Sequence, residues 1–268
     1  EDIAAGAVAL HAGTRLLPAE LGLLASLGIS EVSVRRRPRV AFFSTGDELR
    51  SVGQALGPGQ IYDSNRYTIY GMLTRLGVET IDMGVVRDDP ADIESAFARA
   101  AAEADAVVTS GGVSVGDADY VKAILEKMGS VGFWKVAIKP GRPLAFGRIA
   151  DALFFGLPGN PVSAMVTFYQ LVQPALRAMA GMPDDGLPLT VTAVSEEALR
   201  KKPGRREFQR GVLTRDGEGR LAVRRAGFQG SGVLSSMNAA NCFIVLPEEA
   251  GPVSAGDTVT VQPFSAFV

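Results

Sequence analysis

The sequence has little of what most metal and nucleophile chemistry needs: one cysteine and one histidine in 268 residues. A lone Cys242 excludes an internal disulfide and fits a reducing compartment, and its neighbours Phe243-Ile244-Val245-Leu246 make it a core residue. With only His11, neither a histidine metal cluster nor a Ser-His triad is expected within one subunit. No apolar run approaches the ~18 residues of a membrane span, and no charged-then-apolar leader opens the chain, so no membrane association is expected. Neither sign of charge dominates: 27 Lys+Arg face 29 Asp+Glu, which gives no basic footprint for nucleic acid. Arg35-Arg36-Arg37, ahead of Pro38, reads as a solvated hinge. The Walker-A spacing and the G-x-G-x-x-G fingerprint are missing, so neither an ATPase nor a dehydrogenase is inferred. What remains is a globular, cytoplasmic chain whose length fits about two domains of ~100–200 residues. Because it opens on Glu1-Asp2-Ile3 rather than Met, an N-terminal part is expected to precede it.

What the sequence does have is a glycine loop, Thr109-Ser110-Gly111-Gly112-Val113-Ser114-Val115-Gly116-Asp117-Ala118-Asp119, between the apolar run Ala106-Val107-Val108 and a helical pattern from Tyr120. That places it at the C-terminal end of a buried strand, where open α/β sheets bind ligands. Gly111, Gly112 and Gly116 let backbone N–H groups turn towards bound oxygens. Asp117 and Asp119 either cap the next helix or hold a cation through water.

Residues 1–37 read as a remnant, with a strand-like start, a short helix from Pro18 to Leu27 and a strand-like Glu31-Val32-Ser33-Val34. From residue 38 to 183 strands alternate with helices, which implies a three-layer, mostly parallel α/β domain. Its strands include Val40–Phe43, Thr80–Val86, the run before the glycine loop, and Leu153–Gly156. Ser64 or Asn65 is expected to cap the helix Arg66–Leu76, with Gly77 stopping it. Pro90 opens a second helix, and Asn160-Pro161 opens a long apolar one ending near Gly181. The loops at 44–48, 87–90, 109–119 and 157–161 should converge on one sheet edge. Phe133–Lys139 alternates as one strand, with Lys135 and Lys139 on the same face, making that face cationic. Beyond Pro183-Asp184-Asp185-Gly186, residues 184–268 show short alternating runs at Leu189–Val194, Glu207–Leu213, Leu221–Arg225, Phe243–Leu246 and Thr258–Val261. These predict a small all-β barrel or sandwich. Its longest loop, Gly227–Asn238, either approaches a ligand or is merely solvated.

The acids Asp47, Glu48, Asp88, Asp117 and Asp119 would then meet the bases Lys135, Lys139 and Arg142. Such a set suits a phosphorylated substrate, with Lys and backbone on phosphate and Asp on a hard divalent cation such as Mg²⁺.

These blocks resemble the MoeA family of molybdenum insertases, to which the C-terminal part of gephyrin is similar. The matching stretches are Ser44-Thr45-Gly46-Asp47-Glu48-Leu49, Asp63-Ser64-Asn65, Arg87-Asp88-Asp89, Ser110–Tyr120, Trp134–Pro143 with its Lys139-Pro140-Gly141-Arg142-Pro143, and Gly156-Leu157-Pro158-Gly159-Asn160-Pro161. The resemblance implies a MogA/MoaB-like domain followed by the barrel. It implies a transferase in molybdenum cofactor biosynthesis: molybdate and adenylylated molybdopterin yield molybdenum cofactor and AMP, with Mg²⁺ or a similar cation. It further implies a homodimer making transient contact with other proteins of that biosynthesis and with acceptor molybdoenzymes. Asp88 and Asp119 match acids handling metal or molybdate, and Lys135 and Lys139 match bases near the pterin phosphates and the incoming oxyanion. Thr45, Gly46, Asp47, Ser110, Gly111, Gly112, Ser114, Gly116, Asp117, Arg142, Pro158, Gly159 and Asn160 match the substrate pocket, and Asp2 falls where the family has a functional acid. The alternatives are a non-catalytic gephyrin-like scaffold and a MogA/MoaB-type molybdopterin-binding or adenylylating protein. The latter group differs at the glycine loop and lacks the β-domain.

Overall fold

The computed structural model describes residues 3–111, 118–182 and 188–267, with the side chains of 118–120 and 133 outside that description. The expected sites Asp2, Gly112, Ser114, Gly116 and Asp117 lie outside the described residues, as does the side chain of Asp119.

After α1 (Pro18–Ser26) the chain runs through residues 27–38 without a strand, and Val32 and Val34 stay exposed. The strand expected at Glu31–Val34 is therefore absent: no neighbouring strand among the described residues completes its backbone hydrogen bonds. The α/β unit follows as β1 (Arg39–Thr45), β2 (Leu49–Arg50), β3 (Ile61–Tyr62), α2 (Ser64–Leu76), β4 (Glu79–Val86), α3 (Pro90–Glu103), β5 (Ala106–Ser110), α4 (Ala118–Met128), β6 (Gly129–Lys135), β7 (Ile138–Lys139), β8 (Pro143–Ile149), β9 (Ala152–Leu157) and α5 (Pro161–Thr167). A π-helical turn at Phe168–Val172 leads into α6 (Gln173–Met179). Pro174 has no N–H to return to residue 170, and the helix widens there.

The main sheet runs β4-β1-β5-β9-β8-β6. Its first four strands are parallel, and β8 and β6 close it as antiparallel neighbours. Apolar side chains of alternate register fill two layers. Val40, Phe42, Val108 and Phe155 pack with α2 and α5, while Ala41, Phe43, Val107 and Phe154 pack with α3 and α4. The first turn of α2 is capped by Asp63, whose carboxylate accepts the Arg66 N–H at 3.0 Å, rather than by Ser64 or Asn65. Gly77 ends it in the left-handed conformation.

The second unit comprises β10 (Val191–Ser195), β11 (Arg206–Arg215), β12 (Leu221–Arg225), α7 (Leu234–Asn238), β13 (Cys242–Leu246), β14 (Thr258–Pro263) and a 3₁₀ turn at Phe264–Phe267. Order β12-β10-β14-β13-β11 with a β11–β12 pairing closes a five-stranded barrel. The loop from Gly227 carries the short helix α7, so it is not wholly irregular.

The stretch Phe133–Lys139 is not one strand. β6 ends at Lys135, opposite Pro143, and β7 joins the barrel instead, pairing Ile138 with Arg206 and Lys139 with Glu207. The cationic face expected from its alternation is thus divided between two sheets. Phe208 and Phe243 of the barrel share a core with Phe168, Tyr169 and Val172, so the two sheets are held by one apolar cluster.

Candidate functional site

Parallel pairing of β4, β1, β5 and β9 brings the loops after all four to one edge. There the backbone is drawn tight. Gly111, at φ +87°, donates its N–H to the Leu157 carbonyl at 3.3 Å, and a Cβ on it would lie 2.5 Å from the Thr45 carbonyl oxygen. Only glycine fits this approach without moving main chain. The Ser44 and Ser110 hydroxyls meet at 3.2 Å, and the Asp88 N–H donates to Asp47 Oδ1 at 3.2 Å. Asn65 Nδ2 donates to the Gly159 carbonyl at 2.7 Å, which ties α2 to the loop Pro158-Gly159-Asn160. Thr45, Gly46, Asp47, Asp88, Ser110, Gly111, Pro158, Gly159 and Asn160 therefore share this edge. Gly46 and Asp47, with Arg50, Gln54 and Arg87, also border a cavity of about 450 Å³ at its β1–β4 end.

Lys135 ends β6 at the same edge, but three strands from β5, about 14 Å at ordinary strand spacing. Lys139 and Arg142 go elsewhere. Strand β11 is paired along one side by β7 at residues 206–207 and by β12 at 211–215. In the gap between these pairings opens a cavity of about 510 Å³ bordered by Lys139, Arg142, Ser163, Arg200, Arg205, Glu207, Gln209, Arg210 and Ser231. Its charge is strongly positive. Glu207 is the one carboxylate on this wall among the described residues, and Lys139 Nζ holds its Oε1 at 3.2 Å.

Arg210 is the unusual member. It is 1% exposed, and its guanidinium donates to Ser236 Oγ at 3.1 Å and to the Phe228 and Gly230 carbonyls at 3.4 and 3.0 Å. No carboxylate pairs with it among the described residues, and burial holds its pKa down, at about 10. It stays cationic at neutral pH without a fixed counter-charge, which is costly unless an anion visits. Gln229 secures the strand there, accepting the Arg210 N–H at 2.8 Å and donating to the Arg210 carbonyl at 3.1 Å. Arg210 and Glu207 were not among the residues expected at a site. A signal existed for the first: in the alternating run of β11, Arg210 takes the face of the core residue Phe208, where an apolar side chain is expected. The loop from Gly227 does reach a cavity, through Gln229, Gly230 and Ser231.

A cavity of about 1040 Å³, larger than the two above, lies away from this chemistry, between residues 8–37 and the segment after α6. It contains none of the expected site residues. No group of three or more metal-ligating side chains occurs among the described residues. Cys242 is fully buried and its thiol is pushed up to about 12 by burial, as befits core rather than nucleophile.

Known families cover most of the chain. Residues 41–178 match a family described as "Probable molybdopterin binding domain", and residues 192–264 match one described as "MoeA C-terminal region (domain IV)". A molybdopterin molybdenumtransferase of Haemophilus influenzae is 52% identical over 99% of this chain and 66% of its own length. Gephyrin of Dictyostelium discoideum is 34% identical over 96% of this chain and 41% of its own length. The crystal structure of a molybdopterin biosynthesis MoeA protein from Pyrococcus horikoshii superposes with a TM-score of 0.79 at 34% identity, covering 94% of this chain and 61% of that one. The chain thus spans less than two thirds of each of these relatives.

Proposed function

The chain belongs to the MoeA family, and from that premise we propose that it is the catalytic part of a molybdenum insertase, transferring molybdate onto adenylylated molybdopterin with release of AMP. The observation that carries this reading is the cavity in the β11 gap. Arg210, Lys139 and Arg142 surround it with donors and leave a buried positive charge uncompensated, which suits a tetrahedral oxyanion. The pterin nucleotide would lie along the neighbouring edge, its phosphates against the backbone at Gly111 and on the side of Asp47 and Asp88. Lys135, about 14 Å away along the same edge, would add a cation towards the other end of the nucleotide.

Asp47 and Asp88, on adjacent loops, are hard oxygen donors of the kind that hold Mg²⁺ together with substrate phosphate, and Asp119 is assigned to the same task. When bound, such an ion would neutralise charge on the phosphoanhydride and act as Lewis acid. The chain's own groups do the rest: Lys139, Arg142 and Arg210 hold the oxyanion, and the tight Thr45–Gly111 contact fixes the main chain at Gly111. We also propose a cytoplasmic homodimer. No helix among the described residues is long and apolar enough to cross a membrane, and Val8, Leu17, Leu21 and Val34 are apolar and exposed in the N-terminal segment. A MogA/MoaB-type reading fits less well, because Arg210 comes from the barrel.

The test is AMP release from adenylylated molybdopterin, with and without molybdate and Mg²⁺, beside the Haemophilus relative as a positive control. Molybdate-dependent release is expected, and Asp119→Ala should bind the pterin nucleotide yet release no AMP. Release that ignores molybdate, or normal turnover by Asp119→Ala, would count against the assignment.

A further inference from the structure

We propose that Gln209 determines which oxyanions the β11 cavity accepts, by keeping Glu207, the one carboxylate on its wall among the described residues, from acting as a hydrogen-bond acceptor. The proposal rests on reading this cavity as an oxyanion seat. Fully ionised tetrahedral anions such as molybdate and sulfate carry no hydrogen at neutral pH, and every oxygen accepts. Phosphate and arsenate carry at least one hydrogen, which needs an acceptor of its own. A wall made of donors sets that hydrogen against another and leaves it unpaired.

Glu207 is the group able to spoil such a wall, and the structure shows it occupied. Lys139 Nζ holds Oε1 at 3.2 Å and Gln209 Nε2 holds Oε2 at 3.1 Å, while the side chain is only 4% exposed. The same Gln209 nitrogen donates to the Arg200 carbonyl at 3.0 Å, which orients the amide so that its nitrogen, with the other hydrogen, meets the carboxylate. Its own Oε1 is buried without a partner and offers no surface to a ligand. The other polar side chains bordering the cavity are the donors Lys139, Arg142, Arg200, Arg205, Arg210 and Arg225, the hydroxyls of Ser163 and Ser231, and Gln229, whose Oε1 already accepts the Arg210 N–H. Serine hydroxyls accept as well as donate, but they are weaker acceptors than a carboxylate. Specificity built this way rejects the wrong ligand through an unpaired group rather than through size.

The experiment measures molybdate bound by the 268-residue chain at equilibrium and its displacement by two size-matched pairs, sulfate against phosphate and selenate against arsenate. Sulfate and selenate should each compete about tenfold or more better than their hydrogen-carrying partners, the discrimination one lost hydrogen bond gives. In Gln209→Leu the freed Glu207 oxygen should narrow both gaps to about threefold or less. Should that variant fail to fold, the wild-type chain still decides. Phosphate exclusion must persist as pH rises through phosphate's second ionisation, because the dianion keeps a hydrogen, whereas exclusion by charge alone would disappear there. Equal competition within each pair by the wild-type chain overturns the proposal and leaves the oxyanion seat standing. An unchanged gap in a folded Gln209→Leu variant overturns it too. No binding of any anion, or binding indifferent to Arg210→Gln, removes the seat itself and the proposal with it.

Discussion

Replacing Arg210 by methionine separates two roles that a buried arginine can have. The guanidinium makes three hydrogen bonds, to Ser236, Phe228 and Gly230, and losing them costs about 3 kcal/mol at ~1 kcal/mol each. Against this stands the cost of keeping the charge buried. A pKa held at about 10 instead of 12.5 corresponds to roughly 3 kcal/mol. The two nearly cancel, so the ligand-free variant should unfold within about 4 °C of the wild-type chain. Anion binding should distinguish them. Molybdate at about 100 times its Kd stabilises the wild-type chain by about 2.7 kcal/mol, roughly 5–10 °C. Losing a charge-assisted contact of about 1.5–3 kcal/mol weakens affinity about 10- to 100-fold. The shift at the same molybdate concentration then falls to roughly 1–5 °C. Differential scanning fluorimetry with and without molybdate reads both quantities. A variant that keeps the full molybdate shift, or one that loses more than about 3 kcal/mol without ligand, would show that Arg210 is a structural strut and refute the reasoning.

Lys139→Ala should weaken oxyanion binding, with stronger salt sensitivity in what remains, and should cost about 1–3 kcal/mol by leaving Glu207 buried and unpaired. Adding Glu207→Gln should restore urea stability but not affinity, and recovery of both would contradict the pairing. Gly111→Ala should cost about 1–3 kcal/mol from backbone strain at positive φ, with molybdate-dependent AMP release lost. Wild-type stability in a urea titration would mean that the Thr45 contact relaxes easily. Cys242 should resist thiol reagents until urea unfolds the barrel, and labelling of the folded chain at the rate of a free thiol would place it outside the core. Arg36 holds the Asp105 carboxyl below its ordinary range through paired hydrogen bonds. A depressed folded pKa contributes stability that is complete above the unfolded value of about 4 and is lost as pH falls through the folded value. Asp105→Asn should therefore be less stable than wild type at pH 7, with the gap closing in acid, and a gap that stays constant to pH 2 would exclude this ion pair.

The barrel strands were legible as short apolar or alternating runs set off by glycine- and proline-containing turns. Leu221–Arg225 matches β12 in full, and Phe243–Leu246 misses β13 by one residue. Strand β8 was not, since Pro143 reads as a break although it begins a strand in the antiparallel edge pair with β6. Asp63 was missed as the α2 cap because its neighbours Ser64 and Asn65 are equally good capping residues, and only backbone direction chooses among them.

The sequence by itself determined that four loops would end parallel strands and that glycines and acids would gather at their edge, because these follow from local patterns of period two and 3.6. Tertiary structure alone decided the rest. Lys139 left the sheet of Lys135 because residues 136 and 137 carry the chain across to β11, and the cavity exists because β7 and β12 each cover part of that strand. Arg210 became a buried charge, without a carboxylate partner among the described residues, only when the barrel closed around it. Each of these depends on pairing between residues tens of positions apart, whose energy comes from surfaces that meet only in the folded chain and leave little periodic trace in the order of residues.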